Sequence, residues 1–248
     1  MGDSNLNPWK DWYHRLTCNL ESCTNWYNLS EQGSNDKYVE LEGNPLVPYK
    51  PDKKYEDLIQ IFKNDIPYSN IKLEAPVIKI DYSDDTVDIK IMTQNGTKYE
   101  ADVVIFTASL GVLKDKGRDI FHPSLPEDKM EAIDKIGFGV IAKIFLEFET
   151  SPWPWKDNFI QFLFKDDGIS YTAQEAESDW TRFILEAYFE NFKTRIVSLW
   201  LSGEGAKRVE SLNLDQIKSD SMKFLRKMTR NLKNLTDFPN PINIQVPS

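Results

Sequence analysis

Between residues 77 and 106 the chain carries two segments of alternating side chains, the second returning on a third through an Asn-Gly pair. Val77, Lys79 and Asp81 alternate with Ile78, Ile80 and Tyr82, and Val87, Ile89 and Ile91 share one face of the next segment. A side-chain period of two is the period of a strand, so this stretch folds as sheet and not as helix. Residues 83–85 supply the first turn. Asn95-Gly96 supplies the second, because that pair accepts positive φ at both central positions of a tight hairpin. The third segment ends in Val103-Val104-Ile105-Phe106. A continuous apolar run bounded by turn residues predicts a strand buried on both faces, as in a parallel sheet. Ser109-Leu110-Gly111-Val112-Leu113 follows at that strand's C-terminal end, where open α/β sheets bind their ligands.

The rest of the chain mixes both periods. Helices are predicted over residues 14–20, 55–63, 126–136 and 215–232, and strands over 140–149, 159–164, 183–189, 194–201 and 242–246. Pro126 suits a first helical position and Glu127 and Asp128 suit the positive end of the helix dipole. On helix 55–63, Tyr55, Leu58, Ile59 and Phe62 fall on one face, and Pro67 ends it. Trp153-Pro154-Trp155 terminates the strand that starts at Val140. The fold class is mixed α/β. Gly137-Phe138-Gly139 lies between a helix and a strand, the wrong order for a phosphate loop, and reads as a helix stop with close packing.

Charge and composition exclude several functions. With 30 Lys+Arg against 39 Asp+Glu the formal charge is −9. A sequence-independent nucleic-acid partner needs the opposite sign, whereas a cationic ligand is attracted. No run of about 18 apolar residues is present, so no membrane-spanning helix is expected. Cys18 and Cys23 cannot build a disulfide scaffold, and with only His14 and His122 beside them no metal site is expected. Two reduced thiols and an N-terminus without basic and apolar signal regions predict a cytoplasmic protein. The sequence contains no nucleophile elbow and no P-loop.

Lys143 is the unusual residue. It sits inside Ile141-Ala142-Lys143-Ile144-Phe145-Leu146 and by alternation shares a face with Ile141 and Phe145. A lysine there either snorkels to an exposed edge or is held in a semi-apolar site. Fourteen Phe, ten Tyr and seven Trp supply either an aromatic core or aromatic walls that attract an amine.

Several blocks together resemble the flavin-dependent amine oxidases, and within them the spermine and acetylpolyamine oxidases of animals. They are Tyr99 through Lys114 with its Ser109-Leu110-Gly111-Val112-Leu113, Phe121 through Pro126, Ala132 through Gly139, and Lys143-Ile144-Phe145-Leu146-Glu147-Phe148. Tyr38 through Asn44 and Trp200 through Ala206 add weaker matches. The resemblance covers most of residues 20–246. It implies part of a Rossmann-type FAD-binding domain joined to a substrate domain whose sheet is mixed and mostly antiparallel, with flanking helices. Residues 1–54 and 127–248 would belong to the substrate domain and residues 55–126 to the FAD-binding domain.

The resemblance also implies roles. Val77 would meet the adenine end of FAD through its backbone, and Thr107, Ala108, Ser109 and Leu110 would lie beside the dinucleotide. Lys143 would hold a water near flavin N5, and Ile141 would face substrate. The implied substrates are a polyamine and dioxygen. A secondary amine is oxidised at its carbon–nitrogen bond, hydride passes to flavin N5, and hydrogen peroxide forms. The family's Gly-x-Gly-x-x-Gly unit and its C-terminal closing segment are absent from the sequence, so the chain reads as an internal piece of such an enzyme. Residues 51–55 replace a glycine-containing helix entry, and Ile141 stands where some relatives place a polar or tyrosine side chain. Two other readings fit the same blocks. One is a non-catalytic binding module. The other is a histone-demethylase type of amine oxidase, disfavoured because no long helical-hairpin insertion is present.

Overall fold

A computed structural model of the chain describes residues 8–30, 55–84, 88–154, 159–164, 171–189, 195–232 and 238–247. Residues 38–44 and 51–54, Asp85, Val87, Trp155 and Thr194, which the sequence analysis used, lie outside them. In chain order the strands are β1 Val77–Asp81, β2 Ile89–Thr93, β3 Lys98–Ala101, β4 Phe121–His122, β5 Ile141–Glu147, β6 Phe159–Gln161, β7 Ile184–Phe189, β8 Ile196–Ser202 and β9 Asn243–Gln245. The helices are α1 Pro8–Glu21, α2 Tyr55–Lys63, α3 Leu110–Ile120, α4 Glu127–Lys135, α5 Ala173–Asp179, α6 Gly203–Glu210 and α7 Leu214–Thr229. They fall into two compact units, Asp36–Ile136 and Met1–Asn35 with Gly137–Ser248.

The Asp36–Ile136 unit carries a four-stranded sheet in the order β3-β2-β1-β4. The Asn-Gly hairpin forms as expected. Gly96 takes φ +84° and its N–H donates to the Thr93 carbonyl. Asn95 Oδ1 accepts from the Thr93 hydroxyl and from the Thr97 N–H. β1 runs antiparallel to β2 and parallel to β4, which returns through α3.

The expected central strand at 103–106 is corrected. These residues form no strand, and Val103 and Ile105 are 74% and 84% exposed. Val104 and Phe106 alone are half-buried, the Phe106 ring meeting Phe121 edge-on at 5.1 Å. A strand buried on both faces needs a ladder neighbour and cover on each side. Among the described residues the free edge of β1 is taken by β4, and no strand pairs with 103–106. The run therefore lies extended with one side covered. The apolar face of α2 is exposed as well, at Leu58, Ile59 and Phe62.

The second unit carries an antiparallel sheet in the order β6-β7-β8-β5-β9. Along β5, Ala142, Ile144 and Leu146 are buried while Ile141, Lys143, Phe145 and Glu147 are half-buried. The buried row joins Val197, Leu199 and Leu201 of β8 and Ile184 and Ala187 of β7 in one core with Ile217, Phe224 and Leu225 of α7. Full burial of such side chains stabilises the fold by roughly 1.5–3 kcal/mol each.

α1 is longer than the helix expected at 14–20, because Pro8 opens it at a position where a missing N–H costs nothing. Its Arg15 is buried and donates to the carbonyls of Ile184 and Phe162, both at 2.7 Å, while Asp11 neutralises it. The helix is thereby fixed to β7 and to the end of β6. Gly139 performs the close packing expected of it: a Cβ there would fall 1.0 Å from the Ser22 carbonyl oxygen. Cys18 and Cys23 are both buried and free. No helix among the described residues is long and apolar enough to cross a membrane.

Candidate active site

β5 is a run of β-branched and aromatic residues that pleats one face into the core and leaves the other half-open. Lys143 stands on that second face, and β5 is an interior strand between β8 and β9. β9 pairs only with Phe145, Leu146 and Glu147, so among the described residues Lys143 has a ladder neighbour on the β8 side alone and an unpaired strand edge on the other. Its ammonium settles over the indole of Trp200, its direct cross-strand partner, with Nζ 3.7 Å from the ring centroid. The negative face of the indole attracts the cation, an interaction of about 0.5–2 kcal/mol depending on exposure. Trp200 is held in turn by its own Nε1–H, which donates to Ser198 Oγ at 3.1 Å.

The register extends the row. Trp200 pairs with Glu186 on β7, and Glu186 pairs with Gln161 on β6. Directly paired residues of an antiparallel ladder share a face, so Lys143, Trp200, Glu186 and Gln161 line up across four adjacent strands. Gln161 Nε2 donates to Glu186 Oε2 at 3.0 Å, and Trp12 of α1 donates from Nε1 to Gln161 Oε1 at 3.1 Å. Chemically the row offers one cation, one carboxylate and an aromatic plane between them.

Beside the row, on α1, lies a buried aromatic–histidine stack. His14 sits between the rings of Tyr171 and Trp26, at centroid distances of 3.8 and 4.7 Å. Burial lowers the His14 pKa to about 4, partly opposed by the Asp11 carboxylate. Burial, then the hydrogen bond from its hydroxyl to Asp11, pushes Tyr171 far above the usual phenol range. These groups hold α1 together and are not exposed for chemistry.

The residues expected to flank a dinucleotide lie in the other unit. Val77 opens β1 and is 38% exposed. Thr107, Ala108 and Ser109 are exposed in the extended stretch before α3, and Leu110 is the first residue of that helix. Ser109 caps α3, its hydroxyl accepting from the Val112 N–H. An open backbone edge leading into a capped helix fits the flank of a phosphate-bearing cofactor. The pyrophosphate cradle itself corresponds to none of the 248 residues, which contain no Gly-x-Gly-x-x-Gly. Ile141 and Lys143 share the half-open face of β5 in the Met1–Asn35/Gly137–Ser248 unit.

Glu186 and Gln161 escaped the sequence analysis, and Trp200 entered it only as the first residue of a weaker family match. Glu186 is the one charge inside Ile184-Leu185-Glu186-Ala187-Tyr188-Phe189, the same anomaly that singles out Lys143. What the sequence does not carry is the register that places the two on either side of one indole.

Comparison with known proteins gives this row a context. The human protein named peroxisomal N(1)-acetyl-spermine/spermidine oxidase is 26% identical over 227 residues, covering 86% of this chain and 44% of its own length. Maize polyamine oxidase 1 is 31% identical over 179 residues, covering 71% of this chain and 32% of its own length. The chain therefore spans less than half the length of these relatives. A solved cofactor-site redesign of putrescine oxidase superposes with a TM-score of 0.49 at 15% identity, over 77% of this chain and 38% of that one. The expected cytoplasmic placement is corrected here, since the human relative and its bovine counterpart are peroxisomal by name. Free thiols do not distinguish the cytosol from another reducing compartment. Residues 17–248 match the flavin containing amine oxidoreductases, and the chain belongs to that family.

Proposed function

We propose that this chain supplies the substrate-binding sheet and one flank of the cofactor site of a FAD-dependent polyamine oxidase acting on the spermine and acetylpolyamine class. The observation that carries the proposal is Lys143, held on the half-open face of β5 by the Trp200 indole. A lysine fixed in that way is a positioned cation with N–H donors, suited to hold a water and to offset negative charge beside a redox centre. When bound, the flavin would supply the two-electron acceptor, taking hydride at N5 and passing the electrons to dioxygen as hydrogen peroxide. The substrate amine would lose its N–H proton and the adjacent carbon its hydride, leaving an imine that water hydrolyses to aldehyde and amine. Val77 and residues 107–110 would flank the cofactor, and Ile141 would border the substrate.

Anaerobic mixing of FAD-loaded protein with spermine or N1-acetylspermine tests the proposal. The flavin absorbance is expected to bleach, faster as pH rises because the neutral amine is the form oxidised, and peroxide is expected once air is admitted. Lys143→Met is expected to slow oxidation by air more than it weakens amine binding. A flavin that stays oxidised with both amines overturns the proposal. The carboxylate of Glu186 and the indole of Trp200, side by side on the sheet face, also suit a second reading, a polyamine-binding module without redox chemistry. The same experiment separates the two, since a binding module takes up spermine with no bleaching.

A further inference from the structure

The half-open face of the five-stranded sheet holds more than Lys143. Between that face and α1 lies a cavity of about 300 Å³ bordered by Leu16, Phe159, Gln161, Glu186, Tyr188 and Trp200. That size falls at the lower end of small-ligand sites. Its composition is specific. Three aromatic side chains and three leucines form walls, and one carboxylate stands among them with the amides of Asn19 and Gln161. That carboxylate is fixed: Gln161 Nε2 holds Glu186 Oε2, and Gln161 is in turn held by Trp12 Nε1. A hydrogen-bond relay of this kind pre-orients an acceptor without neutralising it, because both donors are uncharged. Among the described residues Glu186 has no ion-pair partner, and Lys143, two strands away, lies over the indole of Trp200.

We infer that this cavity is a docking subsite for an alkylammonium group, with Glu186 as its anionic anchor and Trp200, Tyr188 and Phe159 as the aromatic walls. The inference rests on the proposed polyamine reading and deepens it by assigning the part of the substrate held away from the reacting nitrogen. A carboxylate supplies charge-assisted hydrogen bonds to an ammonium, and aromatic faces attract the cation and shelter its methylene chain. The sheet sets the scale. Glu186 and Lys143 stand two strand spacings apart, about 9–10 Å. A ligand anchored at Glu186 must therefore extend along the Trp200 indole before it reaches the neighbourhood of Lys143. That geometry selects a di- or polyamine and gives a monoamine no purchase at both ends. Lys143 at the other end disfavours a second ammonium directly beside it, so the amine nearer Lys143 is better accommodated neutral or acylated.

Calorimetric titration of the flavin-free 248-residue chain with spermine, and separately with 1,12-dodecanediol as an uncharged chain of similar length, tests the subsite. Spermine is expected to bind with a salt-sensitive affinity and the diol not to bind. Glu186→Gln preserves the shape and the partnership with Gln161 but removes the charge. It is expected to weaken spermine binding about tenfold or more, the effect of losing one hydrogen bond to a charged group. Glu204→Gln removes a carboxylate outside the cavity from the same unit and is expected to leave the affinity unchanged. Equal losses in the two variants would reduce the effect to general attraction by an acidic chain and overturn the inference, as would unaltered binding in Glu186→Gln or no spermine binding by the parent chain. Melting curves of both variants confirm that they fold. Spermine binding that depends on Glu186, with no flavin bleaching in the earlier experiment, would sink the oxidase proposal and leave the subsite standing. Bleaching with an unchanged spermine KM in Glu186→Gln would do the reverse.

Discussion

His14 shows how a single side chain can tie the stability of a helix to pH. It is stacked between Tyr171 and Trp26, and its surroundings are mixed: Asp11 attracts a proton to it, Arg15 repels one, and burial outweighs both. The folded pKa is about 4 against an ordinary value near 6.5. The unfolded chain therefore binds the extra proton first as pH falls, and protonation favours unfolding. Stability contributed by neutral His14 is complete above about 6.5, declines as pH falls below that, and levels off near 4. Other groups titrate across the same range, so the measurement is a difference. Melting temperatures of the parent chain and of His14→Phe, which keeps the stack, are compared at pH 7, 6, 5 and 4. The parent is expected to lose stability relative to the variant at each step. Parallel curves would show that His14 is as easily protonated folded as unfolded.

At the scale of elements, the junction of α1 with β5 depends on a missing side chain. Gly139 precedes β5, and the Ser22 carbonyl just beyond α1 occupies the space a Cβ would need. Both partners are backbone, so neither can rotate away. Gly139→Ala is expected to destabilise by about 3 kcal/mol, the upper part of the usual range for overpacking, read as a lowered denaturant midpoint with unchanged slope. Gly137, where a Cβ meets nothing, is the control and is expected to accept alanine with little change. The close-packing role of Gly139 was legible because a helix stop at Gly137 does not require a second glycine two residues on. The strand at 141–147 was legible from its β-branched and aromatic residues, and the period of two appears in its burial. The helix Ala173–Asp179 was not, since AQEAESD has no apolar stripe and owes its place to a Thr172 cap and to Ala176 alone being buried. The helix Gly203–Glu210 hides behind two glycines that ordinarily argue against one. Gly203 is explained by its φ of +64° and by the nearby Thr24 backbone, and Gly205 by the Phe183 side chain that presses against it. The run at 103–106 misled because apolar composition reports a tendency to be covered without reporting what covers it. The candidate site divides along the same line. Lys143 stood out as a charge in an apolar strand, whereas its pairing with Trp200 and the succession to Glu186 are facts of register.

For the molecule as a whole, the two units differ in how well they cover their apolar side chains. The unit built on the five-stranded sheet buries a continuous core of aliphatic and aromatic residues. The Asp36–Ile136 unit leaves Leu58, Ile59, Ile61 and Phe62 of α2 exposed, together with Val103 and Ile105. Thirteen large apolar residues exposed among the described residues of one 101-residue unit exceed the scattered exposure of an ordinary surface, and α2 gathers four of them within five positions. A helix of nine residues is marginal in water without a packed face, so α2 is also the element with least to hold it. The 248-residue chain is therefore expected to bind a hydrophobic dye such as anilinonaphthalene sulfonate under native conditions, without the loss of cooperative melting that marks a molten globule. Replacing Ile59 and Phe62 together by lysine is expected to remove much of that fluorescence. The main melting transition should stay in place, because neither residue belongs to the core of the five-stranded unit. Dye binding that survives the double replacement would locate the sticky surface elsewhere, and a collapse of the main transition would mean that α2 contributes to the core its exposure now excludes.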